Sequence, residues 1–171
     1  MPRWTDPRNP TMIPLALVLA SVGALLAALF FQYVIGLQPC ILCIWQRWAY
    51  AAAIVAGVPA VLLASKVGPR RALLGLCGLA FLAGAGIAAF HVGVEQHWWA
   101  GTSECTGTTG VANSVEALKA QLLAAPVVRC DQVAWSLFGI SMAGYNILIS
   151  LALAAVAFYA AGRGPADRAV P

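Results

Sequence analysis

Charged side chains are scarce in this sequence. Only 9% of the 171 residues are Asp, Glu, Lys or Arg, whereas soluble domains contain about 25%. Each of four long stretches without any of them is close to or longer than the about 20 apolar residues that cross a bilayer. These stretches are Asn9–Gln46, Trp48–Ser65, Ala72–Val94 and Gln132–Gly162. A cytosolic globular enzyme is therefore excluded, and the sequence predicts a polytopic membrane protein.

The predicted fold is an all-α bundle of four membrane-spanning helices in a single domain. The spans are expected at residues 13–35, 41–65, 72–92 and 137–161. Lys and Arg concentrate at the N-terminus, after the second span and in the C-terminal tail, so the positive-inside rule assigns both termini to the cytoplasm. The loops at residues 36–40 and 93–136 then face outward. Because these flanks explain the net charge of +4, the expected partner is the lipid bilayer and not nucleic acid.

The long outer loop is rich in small and polar residues and is not expected to form a compact domain. One stretch of it has apolar residues on a single helical face. These residues are Val111, Val115, Leu118 and Leu122. The pattern predicts a short helix that lies in the membrane interface.

The most informative motif is a Cys-x-x-Cys, formed by Cys40 and Cys43 after Pro39 at the expected start of the second span. At a helix start, this spacing keeps the two sulfur atoms close enough to bridge. The positive end of the helix dipole also stabilises a thiolate on one of them. By itself, the motif is also compatible with metal binding or with an inert structural bridge.

Arg47 follows Cys43 by four residues, so both lie on one face of the second span. A guanidinium near that sulfur favours the thiolate form, and charges inside spans are usually functional. The alternative is an arginine that snorkels to the outer interface. The nearby thiols favour a functional role. Gln32, at similar depth in the first span, is either a ligand-binding group or a contact between helices.

Cys105 and Cys130 form a second pair, within the outer loop. A bridge between them is either a structural brace or an exchangeable disulfide. Exposed and loosely held bridges are the exchangeable ones, so a redox role is favoured. A zinc site built from all four outer cysteines is disfavoured, because structural zinc ligands usually come in closely spaced pairs, and no metal is expected. Cys77 lies mid-span and receives no role.

His91 and His97 lie at the outer end of the third span. Histidine titrates near neutral pH and can carry protons. The favoured interpretation is nevertheless that both are interfacial side chains facing water.

Residues 31–33 and 38–47 closely resemble the signature of the DsbB family, the bacterial disulfide bond formation proteins of the inner membrane. The resemblance extends to the four spans, to the second cysteine pair and to residues 136–143 at the start of the last span. It therefore covers nearly the whole chain. It implies a multi-pass inner-membrane oxidoreductase whose active site is on the periplasmic side.

The resemblance also implies a role for each outer cysteine. A Cys105–Cys130 disulfide reoxidises a periplasmic DsbA-like protein of the thioredoxin fold, whose thiolate attacks Cys105. Electrons then pass from Cys130 to the Cys40–Cys43 pair. The DsbA–DsbB–quinone route is known to keep the bacterial periplasm oxidising.

The implied cofactor is a quinone, either ubiquinone or menaquinone. Cys43 faces it, and Arg47 binds a quinone oxygen, with Gln32 as a second candidate for that role. Two alternatives remain. In quinone reductases that resemble vitamin K epoxide reductase, the loop pair precedes the Cys-x-x-Cys, which is the reverse of the order in this sequence. A non-enzymatic four-span protein with bracing disulfides is the other.

Overall fold

The computed structural model describes residues 9–106, 114–116, 119 and 128–163. In these residues the chain forms four long helices, one helical turn and one small hairpin, and residues 115, 116 and 119 are also helical. The helices are α1 (Met12–Tyr33), α2 (Ile41–Leu62), α3 (Val67–Glu95), the short α4 (Ser103–Thr106) and α5 (Met142–Gly162), and the strands are β1 (Ser136–Leu137) and β2 (Ile140–Ser141). The predicted all-α fold with four spans is confirmed.

The four long helices are long and apolar enough to cross a membrane. Each also carries large apolar side chains on its outer face. Examples are Leu19, Val55, Leu79 and Leu148, which are all more than half exposed. A soluble monomer rarely exposes so much apolar surface, so this surface is the one that faces lipid.

Helix α3 lies at the centre of the bundle, between α2 and α5, while α1 packs mainly on α2 and touches α5 little. Small residues let these helices approach closely, as is usual in membranes. Gly78 shows this directly, because a Cβ at that position would lie 2.7 Å from the ring of Phe158. The central cluster includes Leu74, Phe81 and Ala157.

The last helix begins at Met142 and not near Leu137, because a hairpin precedes it. The turn of this hairpin requires positive φ at both central residues, and Phe138 (φ 50°) and Gly139 (φ 77°) adopt it. Ser141 then caps α5 by accepting a hydrogen bond from the Gly144 N–H at 3.2 Å. Helix α3 is longer than the 72–92 span expected from the sequence, since it runs from Val67 to Glu95.

The interfacial helix predicted in the outer loop lies largely outside the described residues. Val111, Leu118 and Leu122 are among the residues that are not described. Val115 is described, and it is helical and exposed.

Candidate active site

The second helix begins at a closely spaced cysteine pair. Cys40 is the N-cap of α2, with extended backbone (φ −73°, ψ 170°), and its Sγ accepts a hydrogen bond from the Cys43 N–H at 3.4 Å. Pro39 suits the position before it, since it has no N–H to leave unpaired. The two sulfur atoms lie 3.1 Å apart, and both residues are free thiols. This pair therefore needs little movement to form a disulfide.

The surroundings of Cys40 favour its thiolate. The pKa of Cys40 falls from an ordinary value of 9.0 to about 4, chiefly because of its hydrogen bond with the Cys43 thiol and secondly because of His91, while burial opposes the shift. The four-residue spacing predicts the thiolate on Cys43, beside Arg47. The geometry favours Cys40 instead, because the helix N-terminus, the neighbouring thiol and the imidazole all converge on its sulfur.

His91 reaches this pair from α3. Its Nε2 lies 3.6 Å from Cys40 Sγ, and its Nδ1 lies 3.0 Å from the Gln46 amide nitrogen. Because an amide nitrogen is a donor, the neutral imidazole carries its proton on Nε2, facing Cys40. The interpretation of His91 as a side chain facing water is wrong, since it is only 4% exposed. It holds for His97, which is exposed.

The loop cysteines pack against the helix pair. Cys105 and Cys130 form a disulfide bond, and they are 2% and 0% exposed. They share one buried cluster with Cys40 and Val94. The expectation of an exposed, loosely held bridge is therefore wrong. The bridge also takes two of the four thiolates that the alternative zinc site requires.

Trp99 holds the beginning of the outer loop on α3. Its indole ring lies directly over Gly93, where any Cβ would overlap the ring. The indole N–H donates to the Phe90 carbonyl at 3.0 Å, and the two rings stack with centroids 5.9 Å apart. The chain then passes Gly101, which lies against Cys105 so closely that a Cβ would be 2.7 Å from the cysteine Cβ. These contacts bring the loop disulfide to the bundle.

A cavity of about 380 Å³ opens beside Cys43, between α1 and α5. Most of its wall is apolar, with residues such as Ala28, Phe31 and Ile149. The polar groups on the wall are Cys43, Gln46, Arg47, His91 and Asn146, together with Gln38 and two tyrosines, Tyr50 and Tyr145. Cys40 is not on this wall. The cavity therefore offers a flat apolar ligand one thiol and a few donors at its polar side.

Arg47 and Gln32 meet beside this cavity. The Arg47 guanidinium donates from Nη1 to Gln32 Oε1 at 2.5 Å and from Nη2 to the Ala28 carbonyl at 3.4 Å. A guanidinium has five N–H donors, so these two bonds leave others for a ligand. The predicted shared face of Arg47 and Cys43 holds to the extent that both line the cavity. Gln32 does not line it, and its observed role is to orient the arginine.

Comparison with known proteins shows the family of this chain. The family model for the disulfide bond formation protein DsbB matches residues 10–160. This chain belongs to the DsbB family. It is therefore a multi-pass membrane protein of disulfide bond formation and a thiol oxidoreductase.

Several relatives carry the name Disulfide bond formation protein B. The chain is 37% identical over 90 residues to the one from Herminiimonas arsenicoxydans, a match that spans 53% of this chain and 56% of that protein. It is 32% identical over 149 residues to the one from Xanthomonas axonopodis pv. citri, covering 83% and 84% of the two chains. For Haemophilus influenzae the values are 31% over 145 residues, with 78% and 75% covered. No solved structure matches this chain significantly.

A buried polar network behind the DsbB-family motif was not predicted from the sequence. Asn146 on α5 donates to Gln46 Oε1, and Tyr50 donates to Asn146 Oδ1. Ser150 lies 3.1 Å from the Tyr50 hydroxyl. The network orients the Gln46 amide toward His91. Its only signal in the sequence is the presence of polar residues within otherwise apolar spans.

Glu95 is a second site residue that was not predicted. It is only 8% exposed, on the last turn of α3. Its Oε1 lies 3.9 Å from His91 Nε2, and its Oε2 accepts a hydrogen bond from the Ser141 hydroxyl. The signal available in the sequence is the four-residue spacing from His91 to Glu95, which places both on one helical face.

A second cavity, of about 340 Å³, lies beside the loop disulfide. Cys105, His97, Trp99 and Asp131 are on its wall. Asp131 also pairs with Arg129, and this contact lowers the pKa of the Asp131 carboxyl. Cys105 thus borders this cavity although it is only 2% exposed, whereas Cys43 borders the cavity between α1 and α5.

Proposed function

We propose that this protein oxidises the dithiol of a periplasmic DsbA-like protein and passes the electrons through its two cysteine pairs to a membrane quinone. The supporting observation is that the two pairs pack together while facing different cavities. Cys105 lies on the wall of the cavity beside the loop disulfide, and Cys43 lies on the wall of the cavity between α1 and α5. A soluble partner and a lipid-soluble oxidant thus reach different cysteines of one packed cluster.

The first exchange takes place at the cavity beside the loop disulfide. A thiolate of the partner attacks Cys105, the Cys105–Cys130 bond breaks, and Cys130 leaves as a thiolate. The second thiolate of the partner then displaces Cys105, so the partner departs as a disulfide. Two electrons have now moved to the loop pair, and two protons have been released. The flanking pair of Arg129 and Asp131 gives this surface polar groups for a protein partner.

The second exchange takes place inside the buried cluster. Cys130 attacks Cys40 in the oxidised Cys40–Cys43 bridge, and Cys43 leaves as a thiolate. Attack by Cys105 on Cys130 restores the loop disulfide and releases Cys40. A sulfur with a low pKa is a good leaving group, and Cys40 has such a pKa. His91 supports this step, because its Nε2 faces that sulfur at 3.6 Å.

The cavity between α1 and α5 fits a quinone, because most of its wall is apolar and its polar groups include the Cys43 thiol and the Arg47 guanidinium. When bound there, ubiquinone or menaquinone supplies an acceptor for two electrons and two protons. Cys43 delivers the electrons from the cavity wall as its bond to Cys40 forms again. Arg47 donates hydrogen bonds to a ligand oxygen and stabilises negative charge on it. Gln32 holds the guanidinium in place.

The charge distribution supports a periplasmic active site. The basic flanks lie at the opposite ends of the spans from the cysteines, as in an inner-membrane protein with cytoplasmic termini. The test uses membranes that contain this protein, a reduced DsbA-like protein and added ubiquinone or menaquinone. We expect quinol and oxidised partner to form in equal amounts. Absence of turnover, or turnover that C43S leaves unchanged, would contradict the proposal and favour disulfides that only brace the fold.

A further inference from the structure

Glu95 has a geometry that the proposed exchange steps do not use. Its side chain is buried, and a buried carboxylate is costly unless a positive or hydrogen-bonding partner compensates it. Among the described residues its recorded partners are Ser141, which donates one hydrogen bond, and His91, whose Nε2 lies 3.9 Å away. The Arg47 guanidinium is bound by α1 and that of Arg129 by Asp131. Among the described residues, the His91 imidazole is the recorded neighbour of Glu95 that can carry the compensating charge.

The orientation of the His91 imidazole is fixed at its Nδ1 atom. Gln46 fixes Nδ1 at 3.0 Å, and Asn146 fixes Gln46 through its amide oxygen. This leaves Nε2 as the nitrogen that faces both Cys40 and Glu95. A carboxylate near Nε2 favours a proton on that nitrogen, and a protonated Nε2 is the donor that a thiolate on Cys40 requires.

We propose that Glu95 is a positioning residue, which keeps the Nε2 proton of His91 directed at the Cys40 sulfur. The inference rests on the proposed function. Glu95 forms and breaks no covalent bond and carries no electrons in this account. It acts through His91, because it does not line the cavity beside Cys43. The competing explanation is structural, namely that Glu95 only joins the end of α3 to the Ser141 cap of α5.

The two explanations can be separated by removing the charge and the hydrogen bond of Glu95 one at a time, because each explanation predicts that a different variant loses activity. E95Q removes the charge but keeps an oxygen that can accept from Ser141. S141A removes the hydrogen bond but keeps the charge. Glu95 has no recorded contact with Cys40, whereas the His91 Nε2 lies 3.6 Å from Cys40 Sγ and 3.9 Å from Glu95 Oε1, so the carboxylate acts on this sulfur through the imidazole. Removal of the Glu95 charge is therefore expected to destabilise the Cys40 thiolate.

The experiment measures kcat and KM for quinone with the full-length protein and a reduced DsbA-like substrate. We expect E95Q to lower kcat about tenfold, the effect of one pKa unit from a neighbouring charge, with KM unchanged. E95D keeps the charge and is expected to restore kcat to within about threefold. The matched control is E116Q, because Glu116 is exposed in the outer loop, and it is expected to leave both constants unchanged.

A double-mutant cycle separates the two roles. If Glu95 acts through His91, E95Q has no further effect on kcat in an H91A background. The same loss in both backgrounds, or a normal kcat in E95Q, would overturn the inference. If E95Q does not accumulate in membranes, S141A provides the test. A kcat of S141A equal to that of the parent supports the role of the Glu95 charge, and a tenfold lower kcat contradicts it. Failure of the proposed function is distinguishable from failure of this inference, because in that case the parent protein itself reduces no quinone.

Discussion

Cys40 and Cys77 are both buried, at 5% and 0% exposed, but they lie in opposite surroundings. Cys40 is at the outer end of the bundle, where a helix N-terminus, a second thiol and His91 meet its sulfur. Cys77 is in the middle of α3, among apolar residues, and its thiol donates to the Ala53 carbonyl at 3.4 Å. Burial alone therefore does not decide the reactivity of a cysteine; the groups that contact the sulfur do.

The largest effect on quinone turnover is expected for the cysteines near Cys40, in contrast to Cys77 in the middle of the bundle. We expect C43S to reduce quinone turnover by more than about a thousandfold, since the residue that delivers the electrons is lost. The rate of quinol formation in membranes measures this. C105A is the companion variant, and it should no longer trap a DsbA-like partner as a mixed disulfide. A trapped complex in C105A would mean that the partner attacks another sulfur.

An intermediate effect is expected at the cavity. R47A removes hydrogen bonds from a charged donor, each worth about 1.5–3 kcal/mol, so KM for quinone should rise about tenfold or more. The loop disulfide should still form, because Arg47 has no recorded contact with Cys105 or Cys130. Steady-state kinetics and a thiol count on the same sample check both statements. Equal quinone affinity in R47A and the parent would remove Arg47 from the binding site.

A smaller effect concerns pH. The pKa of Cys40 in the folded, reduced protein is about 4, below its ordinary value of 9.0. Because the pKa of Cys40 is lower in the folded state, its thiolate stabilises the reduced folded protein at pH values above 9.0. This stabilisation decreases as the pH falls from 9.0 toward about 4. The thermal unfolding temperature of the reduced protein should therefore decrease as the pH is lowered from 9.0 toward about 4.

The control for the pH effect is H91A. Removal of the imidazole should raise the pKa of Cys40 by about one unit, as measured by the pH dependence of thiol alkylation in the reduced protein. An unchanged alkylation profile would show that His91 does not support the thiolate.

The smallest expected effect is at Cys77. C77A should leave quinone turnover unchanged and alter stability by about 1 kcal/mol, a common value for a single core substitution. Turnover assays and thermal unfolding of the purified variant measure the two quantities. A large loss of turnover would contradict the contrast between the two buried cysteines.

Local features of the sequence were sufficient to predict the four spans, the cysteine pair at the start of α2 and the position of Arg47 on its face. Each depends on residues a few positions apart. The role of His91 depends on a contact with Cys40 across 51 positions, and no local periodicity encodes such a contact. Its burial, and that of Glu95, follows from the packing of α3 against the loop and α5. The outer disulfide was expected to be exposed because its loop has few apolar residues, yet it packs on the bundle.

The proposed function depends most on direct electron transfer from the Cys40–Cys43 dithiol to a quinone in the cavity beside Arg47. The most direct measurement is a single turnover, in which purified protein with only this pair reduced is mixed with excess quinone. We expect one equivalent of quinol and a new Cys40–Cys43 disulfide in the same time course. Quinol formation that persists after both thiols are alkylated, or disulfide formation without quinol, would contradict it.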